Sequence, residues 1–280
     1  MFKKIAIIGV GLIGGSIGLA AKKKKLAKQI TGVCRHESSL EKALKLRAID
    51  RVTLDVNEAV KDADLIILAT PVGTFKELVN KISKSAKTGA ILIDVGSTKE
   101  EVIRTIEKVL PKRVSFVGVH PMAGSEKSGV GFAKPDLFEH STCVICKTKS
   151  THKNSLNKVA KFWKALGAEV VVISPEEHDM EVAQISHLPH AVATALVGSV
   201  DAKSLRLASS GFRDTTRIAG GEPVVWADIF LSNKKEILKS IDRFEKVLNS
   251  IRGLVKKQDY KGLIKEFGKN KKIRDAITKK

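Results

Sequence analysis

Lys4-Ile5-Ala6-Ile7-Ile8-Gly9-Val10-Gly11-Leu12-Ile13-Gly14-Gly15-Ser16-Ile17-Gly18 is the stretch whose reading decides the fold. Its first half is a short β-branched apolar run, the pattern of a strand buried on both faces of a parallel sheet. Its second half is a glycine turn that opens into a helix. Gly9, Gly11 and Gly14 stand at the G-x-G-x-x-G spacing. Gly9 allows the tight turn, Gly11 lets the backbone approach a pyrophosphate, and Gly14 lets helix and strand pack closely. The helix then aims its free N–H groups, those of Leu12 and Ile13 among them, at the phosphates. Because the glycines follow a strand and precede a helical pattern, they imply dinucleotide binding and not merely a glycine-rich turn.

The rest of the first half repeats strand and helix. Helical patterns are expected at Ser16–Lys25, Glu41–Leu46, Phe75–Ile82 and Glu100–Val109, and strands at Gln29–Cys34, Asp64–Pro71, Ala90–Val95 and Val114–Val119. Two late strands, Thr142–Lys147 and Val170–Ile173, flank a helix at Lys153–Leu166. This alternation implies an α/β Rossmann-type domain with a parallel sheet covered on both faces. Thr70 and Pro71 end the Asp64–Pro71 strand in a turn of the kind that flanks the ligand crevice at the carboxyl edge of such sheets. About 20 residues past the glycines, an acidic residue would take the ribose 2′-hydroxyl of NAD. This chain has Cys34-Arg35-His36 there. The Arg35 cation suits a 2′-phosphate, so NADP is favoured over NAD.

From Glu176 onward strand patterning disappears, and His178–Val200, Asp201–Ser209, Pro223–Asp228, Asn233–Lys256 and Asp259–Lys272 suit helices. The boundary is placed near Ser174, giving a dinucleotide-binding domain over 1–174 and an all-α domain over 175–280. A helical unit this small is expected to complete its core by dimerising. Lys271–Lys280 is expected to fray.

The 280 residues are 43% hydrophobic, enough for an ample core, and carry a formal net charge of +20. Much of the excess is lysine on helix surfaces. Aromatic residues are only 5%, and no arginine-rich or aromatic reader accompanies the charge, so nucleic acid is not an expected partner. The basic, apolar N-terminus mimics an export signal, but its glycines and the lysine cluster after Ala21 argue against export and against a membrane span. Three cysteines fit a reducing, cytoplasmic setting. Cys143 and Cys146 sit on a strand pattern, where residues three apart face opposite sides, so their thiols should not converge. No metal is expected. His178, between charged neighbours, is expected at the surface, and Trp226 in the core or a dimer interface.

Three constellations carry chemistry. Ser97 and His120 each stand at the carboxyl end of an expected strand. Ser186-His187-Leu188-Pro189-His190 puts a proline inside a helical pattern, which frees backbone groups. Gly211-Phe212-Arg213-Asp214-Thr215-Thr216-Arg217-Ile218-Ala219 is a polar stretch with two arginines.

Taken with the glycine turn and His120-Pro-Met-Ala-Gly-Ser-Glu-Lys-Ser-Gly129, these motifs resemble the prephenate/arogenate dehydrogenase family of tyrosine biosynthesis, in order along nearly the whole chain. The resemblance is to the short form, without a mutase or regulatory domain. It implies oxidative decarboxylation, with hydride passing to a nicotinamide and carbon dioxide leaving the ring. By the same resemblance, His120 accepts the proton of the 4-hydroxyl and Ser97 orients that hydroxyl. Arg217 grips a carboxylate as a planar fork. Ser186 and His190 contact the side-chain carboxylate or carbonyl, and Ser125 and Glu126 shape the pocket. His187 is expected to face elsewhere. Prephenate is favoured over arogenate. The alternatives are a β-hydroxyacid dehydrogenase or imine reductase, which would carry a catalytic lysine where Ser186–His190 stands, and a non-catalytic nucleotide-binding regulator.

Overall fold

The structure is a computed structural model and describes residues 1–125 and 127–277. The chain forms two compact units, Met1–Lys234 and Lys235–Lys280.

The first unit begins with β1 (Phe2–Ile8), α1 (Leu12–Lys23), β2 (Ala27–Val33), α2 (Glu37–Lys45), β3 (Arg51–Thr53), α3 (Val56–Val60) and β4 (Leu65–Leu68). It continues with α4 (Phe75–Ser85), β5 (Ile91–Asp94), α5 (Glu100–Val109), β6 (Ser115–Pro121), β7 (Thr142–Cys146), α6 (Lys153–Ala165) and β8 (Glu169–Ile173). The strands form one sheet in the order β3-β2-β1-β4-β5-β6-β7-β8. Alternate residues serve opposite apolar layers, as a period of two requires. In β1, Ile5 and Ile7 join one layer while Ala6 and Ile8 join the other. Each fully buried isoleucine contributes about 2 kcal/mol of burial free energy, so the central strands anchor the unit.

The expected all-parallel sheet needs one correction. β7 runs antiparallel to β6, with His120 opposite Val144. Among the described residues of 122–141 there is a 3₁₀ turn, Val130–Phe132, and no crossover helix. A parallel pair needs such a crossover and an antiparallel pair does not. Parallel pairing resumes at β7–β8, where α6 provides the crossover. The short β3 and α3 escaped the sequence reading because neither carries a full period of pattern. Cys143 and Cys146 lie in opposite layers, and both are free thiols.

After β8 come α7 (Pro175–Val182), a π turn at Ala183–His187, α8 (Leu188–Gly198), a 3₁₀ turn at Ala202–Leu207, α9 (Ser210–Thr216), a 3₁₀ turn at Arg217–Gly220 and α10 (Pro223–Ser232). The π turn has a local cause. Pro189 has no N–H for the carbonyl four residues back, so the helix widens before it. α11 (Lys234–Lys256) and α12 (Tyr260–Ile277) follow. Of the tail expected to fray, Lys271–Ile277 is helical, and 278–280 lie outside the described residues. Among the described residues, no helix is long and apolar enough to cross a membrane.

Candidate active site

The carboxyl ends of β1, β4, β5 and β6 meet along one edge of the sheet. β1 and β4 flank the point where the strand order reverses, the usual ligand position in such sheets. The three motif glycines meet different surroundings there. Gly9 has φ +96°, and a Cβ on it would stand 2.5 Å from the Ala69 carbonyl oxygen. A Cβ on Gly14 would stand 2.0 Å from the Gly9 carbonyl oxygen. Both glycines are therefore required by the fold. A Cβ on Gly11 would meet nothing within 4 Å. Gly11 also precedes α1, whose first turn has no side-chain cap and no acidic residue. An open glycine before an uncapped helix start fits a pyrophosphate laid across it.

Two cavities of about 650 Å³ each share Gly11, Thr70 and Pro71 in their walls. The first is lined by Gly9, Cys34, Arg35 and His36, and Cys34 Sγ accepts the Val10 N–H at 3.1 Å. Arg35 therefore stands where the adenosine half of a dinucleotide would lie. The second cavity is lined by Leu12, Ile13, Ser97, His120, Ser125, Ser186, Arg217 and Trp226. Both cavities lie wholly within the Met1–Lys234 unit. His120 and Arg217, far apart in the chain, thus share one cleft with Ser97 and the glycine turn. Thr70 Oγ1 and Thr74 Oγ1 hydrogen-bond at 2.7 Å, bracing the turn between the cavities. Glu126 lies outside the described residues.

His190 is not in the cleft wall. Its ring stacks on Trp226 with centroids 3.5 Å apart and planes 7° from parallel, so it backs an indole that does line the cleft. Trp226, expected in the core or an interface, is a cleft-wall residue. Gly221 makes room for it, since a Cβ there would come within 2.3 Å of Trp226 Nε1. His187 is also absent from the wall. It is buried edge-on to Trp226, and desolvation brings its pKa down to about 4.

Behind His120 lies a relay that the sequence reading missed. His120 Nδ1 is 2.8 Å from His178 Nε2, and His178 Nδ1 is 2.7 Å from Asp179 Oδ1. The Asp179 carboxylate also accepts the backbone N–H groups of Lys99 at 2.8 Å and Glu100 at 2.9 Å. Both its oxygens already act as acceptors, so His178 Nδ1–H donates to it. His178 Nε2 is then an acceptor, and His120 Nδ1–H donates in turn. This assignment leaves His120 Nε2 with its lone pair free. Burial holds the His120 pKa well below the ordinary value, helped by His178, Lys99 and His187. Burial also lowers His178, against the opposing pull of Asp179. Both rings are neutral near pH 7.

His178 is therefore not the surface residue its charged neighbours suggested; it is fully buried. The signal was present in another form. The buried residues of α7 are Pro175, His178, Asp179 and Val182, the i, i+3, i+4, i+7 stripe of a core-facing helix. Beneath the relay lies a second buried pair. Lys99 Nζ is 2.6 Å from Asp94 Oδ2, and both side chains are 0% exposed. Among the described residues, no cluster of His, Cys, Asp or Glu could hold a metal ion.

Comparison with known proteins agrees with this layout. The family model for the nucleotide-binding domain of prephenate dehydrogenase matches residues 17–172, and that for its dimerization domain matches residues 174–269. The prephenate dehydrogenase of Bacillus subtilis is 40% identical over 98% of this chain and 76% of its own. The cyclohexadienyl dehydrogenase of Zymomonas mobilis is 34% identical over 99% of this chain and 97% of its own. The crystal structure of A. aeolicus prephenate dehydrogenase, in complex with hydroxyphenyl propionate and NAD+, superposes with a TM-score of 0.92 at 35% identity, covering 99% of each chain. By sequence motif, family model and three-dimensional structure, the chain belongs to the prephenate dehydrogenase family.

Proposed function

We propose that this protein oxidatively decarboxylates prephenate to 4-hydroxyphenylpyruvate, with a nicotinamide cofactor spanning the two cavities. The observation that carries the reading is the shared cleft: one neutral imidazole and one guanidinium facing the same space beside an open glycine turn. The nicotinamide, when bound, accepts the hydride from the ring carbon that bears the 4-hydroxyl. His120 Nε2 takes the hydroxyl proton as the carbonyl develops. The bond to the ring carboxylate then breaks, its electron pair completes the aromatic ring, and carbon dioxide leaves. The proton returns from His120 to the phenolic oxygen. The neutral relay suits this cycle, because a histidine already protonated could not accept.

Ser97 orients the hydroxyl, Arg217 holds a carboxylate, and Ser125 and Ser186 complete the polar wall. His190 acts from behind Trp226, holding the indole in place. Prephenate is preferred to arogenate in this reading because the described wall residues include the cations Lys127 and Arg217. Prephenate carries no ammonium group to offset its two carboxylates. NADP is preferred to NAD because Arg35 lines the first cavity, and the acid among its described wall residues, Glu77, is paired with Lys81 at 2.8 Å.

We place the functional boundary near Ser174, supported by the junction between the two family models. We read the protein as a homodimer, supported by large apolar side chains such as Leu248, Val255, Ile264 and Phe267 exposed on the Lys235–Lys280 unit. A cytoplasmic setting is supported by its free thiols.

The test is reduced-cofactor formation with prephenate and with arogenate, each with NAD+ and NADP+, for the wild type and His120→Asn. Turnover of prephenate that His120→Asn abolishes is expected. Equal activity of wild type and variant refutes the assignment of His120.

A further inference from the structure

We infer that Asp94 and Lys99 form a positioning pair that sets the Ser97 loop and the His120 strand in register with each other. The inference rests on the reading of the cleft as a dehydrogenase site.

The geometry is that of a saturated buried ammonium. Lys99 Nζ donates to Asp94 Oδ2 at 2.6 Å, to the Gly96 carbonyl at 2.8 Å and to the Thr98 carbonyl at 2.9 Å. All three N–H donors are used, and the two carbonyls bracket Ser97. Asp94 is engaged at both oxygens. Its Oδ2 accepts the Gly96 N–H at 2.9 Å, and its Oδ1 lies 3.3 Å from the N–H of Val119, the residue before His120. One buried pair therefore ties the loop carrying Ser97 to the strand carrying His120.

The backbone N–H of Lys99 donates to Asp179, the end of the histidine relay. Thr98 Oγ1 hydrogen-bonds Ser232 Oγ on α10 at 2.9 Å. The Gly96–Lys99 segment thus has fixed attachments to β5, α7 and α10, and through Asp94 to β6. An apolar side chain in place of Lys99 would leave two loop carbonyls without donors and the buried Asp94 carboxylate without its countercharge, each costly in a dry interior. Taking two charges out of water is itself expensive, and an apolar pair often gives equal or greater stability. Positioning, not stability, is the role that this geometry supports.

The pair also acts on the relay through its charge. The groups facing His120 are His178 on α7, His187 in the π turn and Lys99 before α5, with Asp179 behind His178 and Asp94 against Lys99. The Lys99 cation helps keep His120 neutral. Loss of that cation moves His120 titration to higher pH.

The experiment compares wild type, Lys99→Gln and the charge-neutral double variant Asp94→Asn/Lys99→Gln. The double variant leaves no buried charge unpaired, so it tests the idea even if the single variant does not fold. Three quantities are read: melting temperature, the NMR titration of His120 without substrate, and kcat, KM and cofactor Kd with prephenate. Expected are a folded variant, a His120 titration displaced upward, a cofactor Kd within about twofold and a kcat about a hundredfold lower. A folded variant with wild-type kcat and unchanged His120 titration overturns the proposal. A double variant that cannot fold also overturns it, since the pair would then belong to the framework alone. If the wild type does not turn over prephenate, the functional reading fails, and the titration still decides whether Lys99 acts on His120.

Discussion

Gly11→Ala is expected to leave the fold intact and to weaken dinucleotide binding about tenfold or more, a loss of at least about 1.4 kcal/mol. The added Cβ would meet no protein atom within 4 Å, and the backbone, φ −93° and ψ −148°, lies at the margin of the β region, so the strain an alanine adds is small beside that at Gly9. The cost to folding is then that of a poorer helix N-cap, roughly 1 kcal/mol. In a chain of this size that corresponds to a fall in melting temperature of about 2–4 °C. The same methyl occupies the space where a pyrophosphate must approach the backbone. Gly9→Ala and Gly14→Ala are the controls. At Gly9 the substitution combines a left-handed backbone with a 2.5 Å approach to Ala69 O; at Gly14 the approach to Gly9 O is 2.0 Å. Each should cost folding several kcal/mol, on the order of the overpacking and strain penalties combined. Thermal melts and calorimetric titration with NAD+ and NADP+ separate the two effects. A Gly11→Ala protein that binds either cofactor as the wild type does, or that melts together with Gly9→Ala, refutes the argument.

Other outcomes follow from the same geometry. His178→Asn removes the acceptor for His120 Nδ1–H and should lower kcat about a hundredfold or more while KM changes little; a wild-type kcat would remove the relay from the mechanism. Acid should destabilise the fold through its buried neutral histidines. The pKa of His187 falls from about 6.5 in the unfolded chain to about 4 in the folded one. Below about pH 6.5 the unfolded chain therefore takes up a proton that the native state refuses, and stability falls as pH falls. By pH 4 the loss through this residue is about 3 kcal/mol. Urea melts between pH 7 and pH 4 should show wild type losing that much more than His187→Gln, and parallel losses would contradict the assignment. Arg35→Asp should move the ratio of NADP to NAD utilisation toward NAD, and an unchanged ratio would leave the NADP preference without a basis.

Much of this protein was legible in local pattern. The β1–α1 turn is read from residues adjacent in the chain, because strand burial, glycine spacing and the helix start are all short-range. The strand-and-helix alternation through α5 follows for the same reason, and so does the opposite facing of Cys143 and Cys146. His120, Ser97 and Arg217 were identified through motifs, and tertiary structure brings all three into one cleft. Other features depended on contacts between distant segments. The antiparallel entry of β7 depends on a connection without a helix, which alternation alone does not reveal. His178 looked like a surface residue because its immediate neighbours are charged, although the stripe from Pro175 to Val182 buries it. The partnership of Asp94 with Lys99 depends on where the chain after β5 folds back on itself, and the stacking of His190 on Trp226 on how α8 meets α10. Local sequence determines which backbone forms a segment adopts, since those are governed by neighbours within a few residues. Which polar groups face each other in the dry interior is decided only when the layers close, because each must then find a donor or acceptor from a remote part of the chain.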